Sequence, residues 1–213
     1  PAAGNYSGTL VNALMFHCGS SLSGINGVMR PGIVHRIDKN TSGLVLCAQN
    51  AFAAPELAKT AQKCYLALVE GPLPVGSGRI DVPIARRGDS IIGRCVREDG
   101  KPSVTEYTVL AASASHALVS CFPVTGRTHQ IRVHFSWLGH PLAGDSLYGG
   151  HTDIIARHAL HCAVLRFNRP ADHEPRRVQS PLPEDFLAAC CAAYLPDKEE
   201  IQTMLQSVLP CAE

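Results

Sequence analysis

Residues 63–71, KCYLALVEG, are apolar from Cys64 to Val69, and a strand of that composition has to be covered on both faces. The run therefore needs a pairing strand on each side and packed elements above and below. Further β-like runs lie at 79–85 (RIDVPIA), 94–98 (RCVRE), 103–112 (SVTEYTVLAA), 116–124 (HALVSCFPV) and 161–167 (HCAVLRF), separated by Gly, Pro and Ser clusters. They follow one another in neighbouring pairs rather than in strict alternation with helices. The expectation is an α+β domain, a mixed and largely antiparallel sheet with flanking helices.

Helical spacing predicts a short helix over 7–18 and another over 51–62, followed late in the chain by PLPEDFLAACCAAYL and PDKEEIQTMLQSVL, each opened by a proline and acids. The stretch 19–33 is a Gly-, Ser- and Pro-rich loop, and GLVLCA (43–48) is a strand. In RTHQIRVHFSWLGHP (127–141), Ile131, His134, Phe135 and Leu138 mark a buried helix face, with Thr128 as N-cap and Gly139 as the stop. Arg132 falls on the opposite side, Arg127 and His129 in the first turn, and no acid occurs from 127 to 144. A solvated basic face and an anion site at the helix N-terminus both fit that pattern.

No repeat or low-complexity linker divides the 213 residues, so a single domain over 1–213 is expected, with 188–213 as a helical extension. Nineteen Lys and Arg against eighteen Asp and Glu give no global signal for nucleic acid, so any partner argument must be local. The nine cysteines include no C-x-x-C pair, which favours a reduced, intracellular chain, with the cytoplasm ahead of the nucleus or an organelle. No run of about 18 apolar residues predicts a membrane span. Because residue 1 is Pro and not Met, the sequence is expected to be trimmed at its N-terminus.

The chemistry-bearing stretch is GIVHRIDKNTSGLVL (32–46), where His35, Arg36 and Lys39 crowd Asp38. Asp38 reads either as a turn-capping or salt-bridged carboxylate, or as one kept ionised by neighbouring cations to serve as nucleophile or base. Other motifs are weaker. GDSL (144–147) matches the nucleophile block of GDSL esterases, but no Asp-x-x-His follows, and Ser146 reads as a loop serine. His158 and His161 with Cys162 lack further ligands and read as structural. HRID lacks the other protein-kinase elements.

Four ordered blocks carry a resemblance: PGIVHRIDKNTSGLVL (31–46), KCYLALVEG (63–71), KPSVTEY (101–107) and GRTHQIRVHFSWLGHPLAGDSLYGG (126–150). Together they closely resemble the RluA-type RNA pseudouridine synthases, over nearly all of 1–187. The resemblance implies an isomerase that cleaves the N-glycosidic bond of particular uridines in structured rRNA or tRNA, turns the uracil and rejoins it through C5. Asp38 matches the family's essential aspartate, acting as nucleophile, and Tyr65 matches the tyrosine that stacks on uracil. Arg132 matches the arginine paired with the aspartate, with Arg127 as the fallback. Arg36 matches a residue that fills the space left by the flipped base, and Ile131 and Thr41 fall in the substrate pocket. Flipping is required because the target atom is inaccessible in a stacked helix.

His35, Arg127, His129, Arg86 and Arg87 are expected RNA contacts, with Arg94, Arg97 and Lys101 nearby. Reactant and product are isomers, so no cofactor or metal is expected, and the partner is RNA, bound by a monomer away from any membrane. Ile37 and Ser146 replace the family's usual leucine and proline. An Asn-Lys-Pro strand and the small S4 domain common in such enzymes lie outside this sequence. The alternative is a non-catalytic RNA-binding protein with the same fold.

Overall fold

The computed structural model describes residues 7–18 and 32–208. All of the predicted 19–33 loop except Gly32 and Ile33 lies outside the described residues. The chain forms α1 (Leu10–Cys18), β1 (Ser42–Gly43), α2 (Ala53–Thr60), β2 (Gln62–Glu70), β3 (Gly76–Asp81), β4 (Ile84–Arg86) and β5 (Arg94–Val96). It continues with β6 (Val104–Ala112), β7 (His116–Pro123), α3 (Gln130–Trp137), β8 (Leu160–Asn168), β9 (Pro175–Gln179), α4 (Glu184–Ala192) and α5 (Lys198–Gln206).

The main sheet runs β1-β8-β2-β7-β6-β3, with β9 added to the far end of β8, and only β1–β8 is parallel. This is the expected mixed, largely antiparallel α+β architecture. β2 sits between β7 and β8 and divides the core by its pleat. Tyr65, Ala67 and Val69 face a cluster with Leu57, Ile131 and Phe135. Cys64, Leu66 and Leu68 face a second cluster with Phe186, Ile201 and Leu205 from α4 and α5. The first face carries the site and the second closes the back. Among the described residues no helix is long and apolar enough to cross a membrane.

Several elements depart from expectation, each for a local reason. The run 43–48 is not a strand beyond its first residue. Gly43 has φ +105° and packs against the Cys162 backbone, where a Cβ would lie 2.2 Å from the carbonyl oxygen. The chain then leaves the sheet and returns on itself, Val34 N–H to Leu46 O and Ala48 N–H to Gly32 O. RIDVPIA is split around Val82 and Pro83, and β4 and β5 form a separate hairpin. The short, charged edge strand β9 has no apolar alternation to announce it.

The helix expected from Thr128 begins instead at Gln130. Its N-cap is His129, held in the left-handed region at φ 58°, and not Thr128. Gln130 ties the turn together by accepting from Arg127 N–H and the Thr125 hydroxyl while donating to Val104 O. Every residue from Gln130 to Phe135 is buried, so α3 has no solvated basic face in its first half.

Candidate active site

Asp38 closes a turn through its main chain, where Thr41 N–H donates to Asp38 O at 3.0 Å. The turn is anchored twice more, by the Thr41 hydroxyl against His158 Nε2 and by Arg157 Nη1 donating to Asn40 O. The carboxylate is thereby left free of the turn's own bonding. It faces a cleft of about 300 Å³, at the small end for a ligand site, together with Tyr65, Arg132 and Ile131. Thr41, Arg36, His35, Arg127 and His129 line the same cleft. Arg86 and Arg87 do not; they lie on and just beyond β4.

Arg132 is the organising cation. Its Nη1 donates to Asp38 Oδ2 at 3.2 Å, so the fallback Arg127 is not the partner; Arg127 Nε donates to Pro102 O. Nε and Nη2 of Arg132 fork onto Asp145 at 2.7 and 2.8 Å. Its side chain is only 7% exposed, that of Asp145 1% and that of Asp38 19%. Burial opposes the charge on Arg132, but the Asp145 and Asp38 carboxylates outweigh it and its pKa is raised. One guanidinium thus serves two carboxylates: the fork fixes its plane on Asp145, and Asp38 keeps a single, longer contact. Its carbon also lies 4.9 Å from the centroid of the Tyr148 ring.

Asp145 and Tyr148 are the site residues that sequence reasoning missed. The signal was present: a helix arginine with no acid from 127 to 144 needs a partner, and Asp145 is the next acid. The Asp145 that supplies it sits in the block that resembles an esterase motif, whose Ser146 is exposed.

Tyr65 projects from the centre of β2 and is 7% exposed. Burial, the neighbouring Cys162 thiol and the charge of Asp38 all push its phenol well above the usual tyrosine pKa, so it presents a neutral ring to the cleft. The Arg36 side chain is exposed at the cleft edge. On the hairpin, Arg87 is held by both oxygens of Asp89 and Arg97 by those of Asp99. The exposed Arg86 guanidinium makes no hydrogen bond among the described residues. Among those residues no three His, Cys, Asp or Glu side chains are grouped to hold a metal ion. The rings of His158 and His161 meet the hydroxyls of Thr41 and Ser42.

His35, His158 and His161 are each pushed down to about 4, by burial first and then by Lys63, Arg132 and Arg157 respectively. His35 Nε2 accepts from Leu46 N–H, so it enters the cleft wall as a neutral ring rather than a cation. Unfolded, these rings titrate near 6.5, so between about 4 and 6.5 the unfolded chain binds more protons. Their contribution is complete above pH 6.5 and is lost as pH falls through about 4. We expect the unfolding free energy from urea titration to drop steadily across that window, by up to about 1.4 kcal/mol per pH unit for each histidine, and the urea midpoint with it. A flat midpoint would contradict their burial as neutral rings.

A family model described as RNA pseudouridylate synthase matches residues 19–137, more than half of the chain. The chain belongs to the RNA pseudouridylate synthase family. An uncharacterized RNA pseudouridine synthase of Bacillus subtilis, YlyB, is 49% identical over 192 residues. The ribosomal large subunit pseudouridine synthase D of Zymomonas mobilis is 42% identical over 202. Both matches cover 87% of this chain and 63% of the relative, so the chain spans less than two thirds of the length of these synthases. Among solved structures, human RNA pseudouridylate synthase domain containing 1 superposes with a TM-score of 0.69 at 29% identity, covering 96% of this chain and 87% of that one. The RluA-type resemblance seen in the four sequence blocks agrees with these synthase relatives.

Proposed function

We propose that this chain isomerises uridine to pseudouridine in RNA, with large-subunit ribosomal RNA as the substrate class and Asp38 as the nucleophile. The observation that carries the reading is Asp38 itself: a carboxylate opening onto a cleft walled by a neutral tyrosine ring, its charge supported by an arginine that a second, buried carboxylate holds in place. The relatives named for ribosomal RNA support the substrate class.

In this reading the uridine leaves the RNA stack and its uracil lies against Tyr65, with Arg36 filling the vacated space. Asp38 attacks C1′ as the C1′–N1 bond breaks, and the electron pair stays on uracil. The base turns, C5 displaces the carboxylate at C1′, and loss of the C5 proton with protonation at N1 completes an isomerisation in which nothing is gained or lost. Arg132 stabilises Asp38 as the carboxylate it must be at the start and at the end. Arg86, Arg36 and Arg127 are among the exposed cations available to phosphates.

Loss of the C5 hydrogen gives the test. The full chain is incubated with unmodified ribosomal RNA carrying tritium at C5 of uridine. Release of tritium to water, levelling off at a fixed number of sites per RNA, is the expected result. RNA binding without release would instead make the chain a non-catalytic RNA-binding protein of this fold.

A further inference from the structure

His129, Tyr148 and Arg94 form a chain of contacts that ends on the free edge of Asp38. Arg94 N–H donates to the Tyr148 phenol oxygen at 3.0 Å, and that oxygen lies 2.7 Å from His129 Nδ1. The other ring nitrogen, Nε2, faces Asp38 Oδ1 at 3.9 Å. Arg132 donates to Oδ2, and His129 Nε2 stands opposite Oδ1. Three non-glycine residues among those described have a positive φ, and of these His129 alone lines the cleft while His173 and Tyr194 are exposed. The left-handed turn is unfavourable for a residue with a side chain, and here it aims an imidazole at the carboxylate.

The tautomer follows from counting hydrogens. Tyr148 has one hydrogen to give, its oxygen already receives Arg94 N–H, and His129 Nδ1 is the acceptor in reach. With Nδ1 accepting, a neutral ring carries its proton on Nε2, toward Asp38. The reverse arrangement would load a second donor onto the phenol oxygen and turn a lone pair on the carboxylate. Burial holds His129 below its ordinary pKa and Arg132 and Arg94 add to this, against the opposing Asp38 and Asp145, so the neutral ring is the relevant form.

We propose that His129, held by Tyr148, is a positioning residue for Asp38: its Nε2–H fixes Oδ1 while Arg132 fixes Oδ2, setting the plane of the carboxylate toward the flipped nucleotide. This rests on the synthase reading and assigns His129 a role other than the RNA contact expected from the sequence. The gap of 3.9 Å exceeds a hydrogen bond, and this role has the ring close on Oδ1 as the nucleotide seats.

Two measurements test it on the full chain. In ¹⁵N-histidine NMR without RNA, His129 is expected to be protonated at Nε2, and Tyr148→Phe to abolish that fixed tautomer. In tritium release, His129→Leu is expected to lower kcat about 10- to 100-fold with KM and RNA affinity within about twofold. His129→Gln, whose amide N–H reaches the place of Nε2–H, is expected to recover most of that loss. A wild-type ring protonated at Nδ1, equal losses in the Leu and Gln variants, or a loss confined to KM and RNA affinity would each overturn the proposal. Absence of release from the wild type would overturn the synthase reading and this role with it, whereas failure of the variants alone leaves that reading standing.

Discussion

Asp38→Asn is expected to lower tritium release by at least about 10³-fold, the scale on which covalent catalysis depends on its nucleophile, while the protein stays folded. The separation of the two effects is the informative part. If Asp38 were a turn-capping carboxylate, asparagine would substitute with little consequence, because its side chain caps turns equally well. If it were chiefly a salt-bridge partner, stability would fall with activity. In this structure the turn is closed by the main-chain oxygen of Asp38. The side chain contributes one 3.2 Å bond to an arginine that keeps its fork on Asp145. Asparagine leaves Arg132 compensated, so the urea midpoint should correspond to a change of no more than about 1–2 kcal/mol. An active Asp38→Asn protein would remove the nucleophile from the proposal, and an unfolded one would return Asp38 to a structural role.

How much of this was legible in the sequence depends on how far each decisive contact reaches along the chain. The central place of β2 follows from the run Cys64–Val69, since a strand apolar on both faces has nowhere else to go. The packing of Ile131 and Phe135 follows equally from helical spacing. Arg132 is different: periodicity puts it opposite the buried face, and the structure buries it regardless, because Asp145 arrives from a loop to neutralise it. Gly43 likewise ends its strand because of the backbone of Cys162, far along the chain, and no local pattern encodes that approach. The cap of this helix falls one residue later than Thr128 for a related reason. Thr128 is a good cap in isolation, but the side chain of Gln130 secures the turn from within and leaves the left-handed position to His129. Local rules located most of the elements and left Asp38 open between a turn carboxylate and a nucleophile; the family resemblance chose between them, and long-range pairing decides how that carboxylate is held.

That pairing makes Asp145 a residue whose loss should weaken both the fold and the site. Asp145→Ala removes both acceptors of the fork and leaves the Arg132 guanidinium, 7% exposed, with the single hydrogen bond to Asp38 and the face of Tyr148. Breaking a buried pair from one side costs about 3–5 kcal/mol, which for a domain of this size lowers Tm by about 6–20 °C. Activity should fall as well: with its plane no longer fixed by the fork, the guanidinium no longer holds the Asp38 carboxylate in its direction toward the cleft. The same physics predicts a rescue that separates the two losses. Replacing both partners with apolar side chains, Arg132→Met with Asp145→Leu, removes the stranded charge and should restore much of the urea midpoint, because well-packed apolar pairs often match buried ion pairs in stability. Tritium release should not return, since Asp38 would then face the cleft without its cation. Recovery of activity in the double variant would mean that Arg132 acts on the fold alone; failure to recover stability would mean that the fork is needed for packing rather than for charge balance.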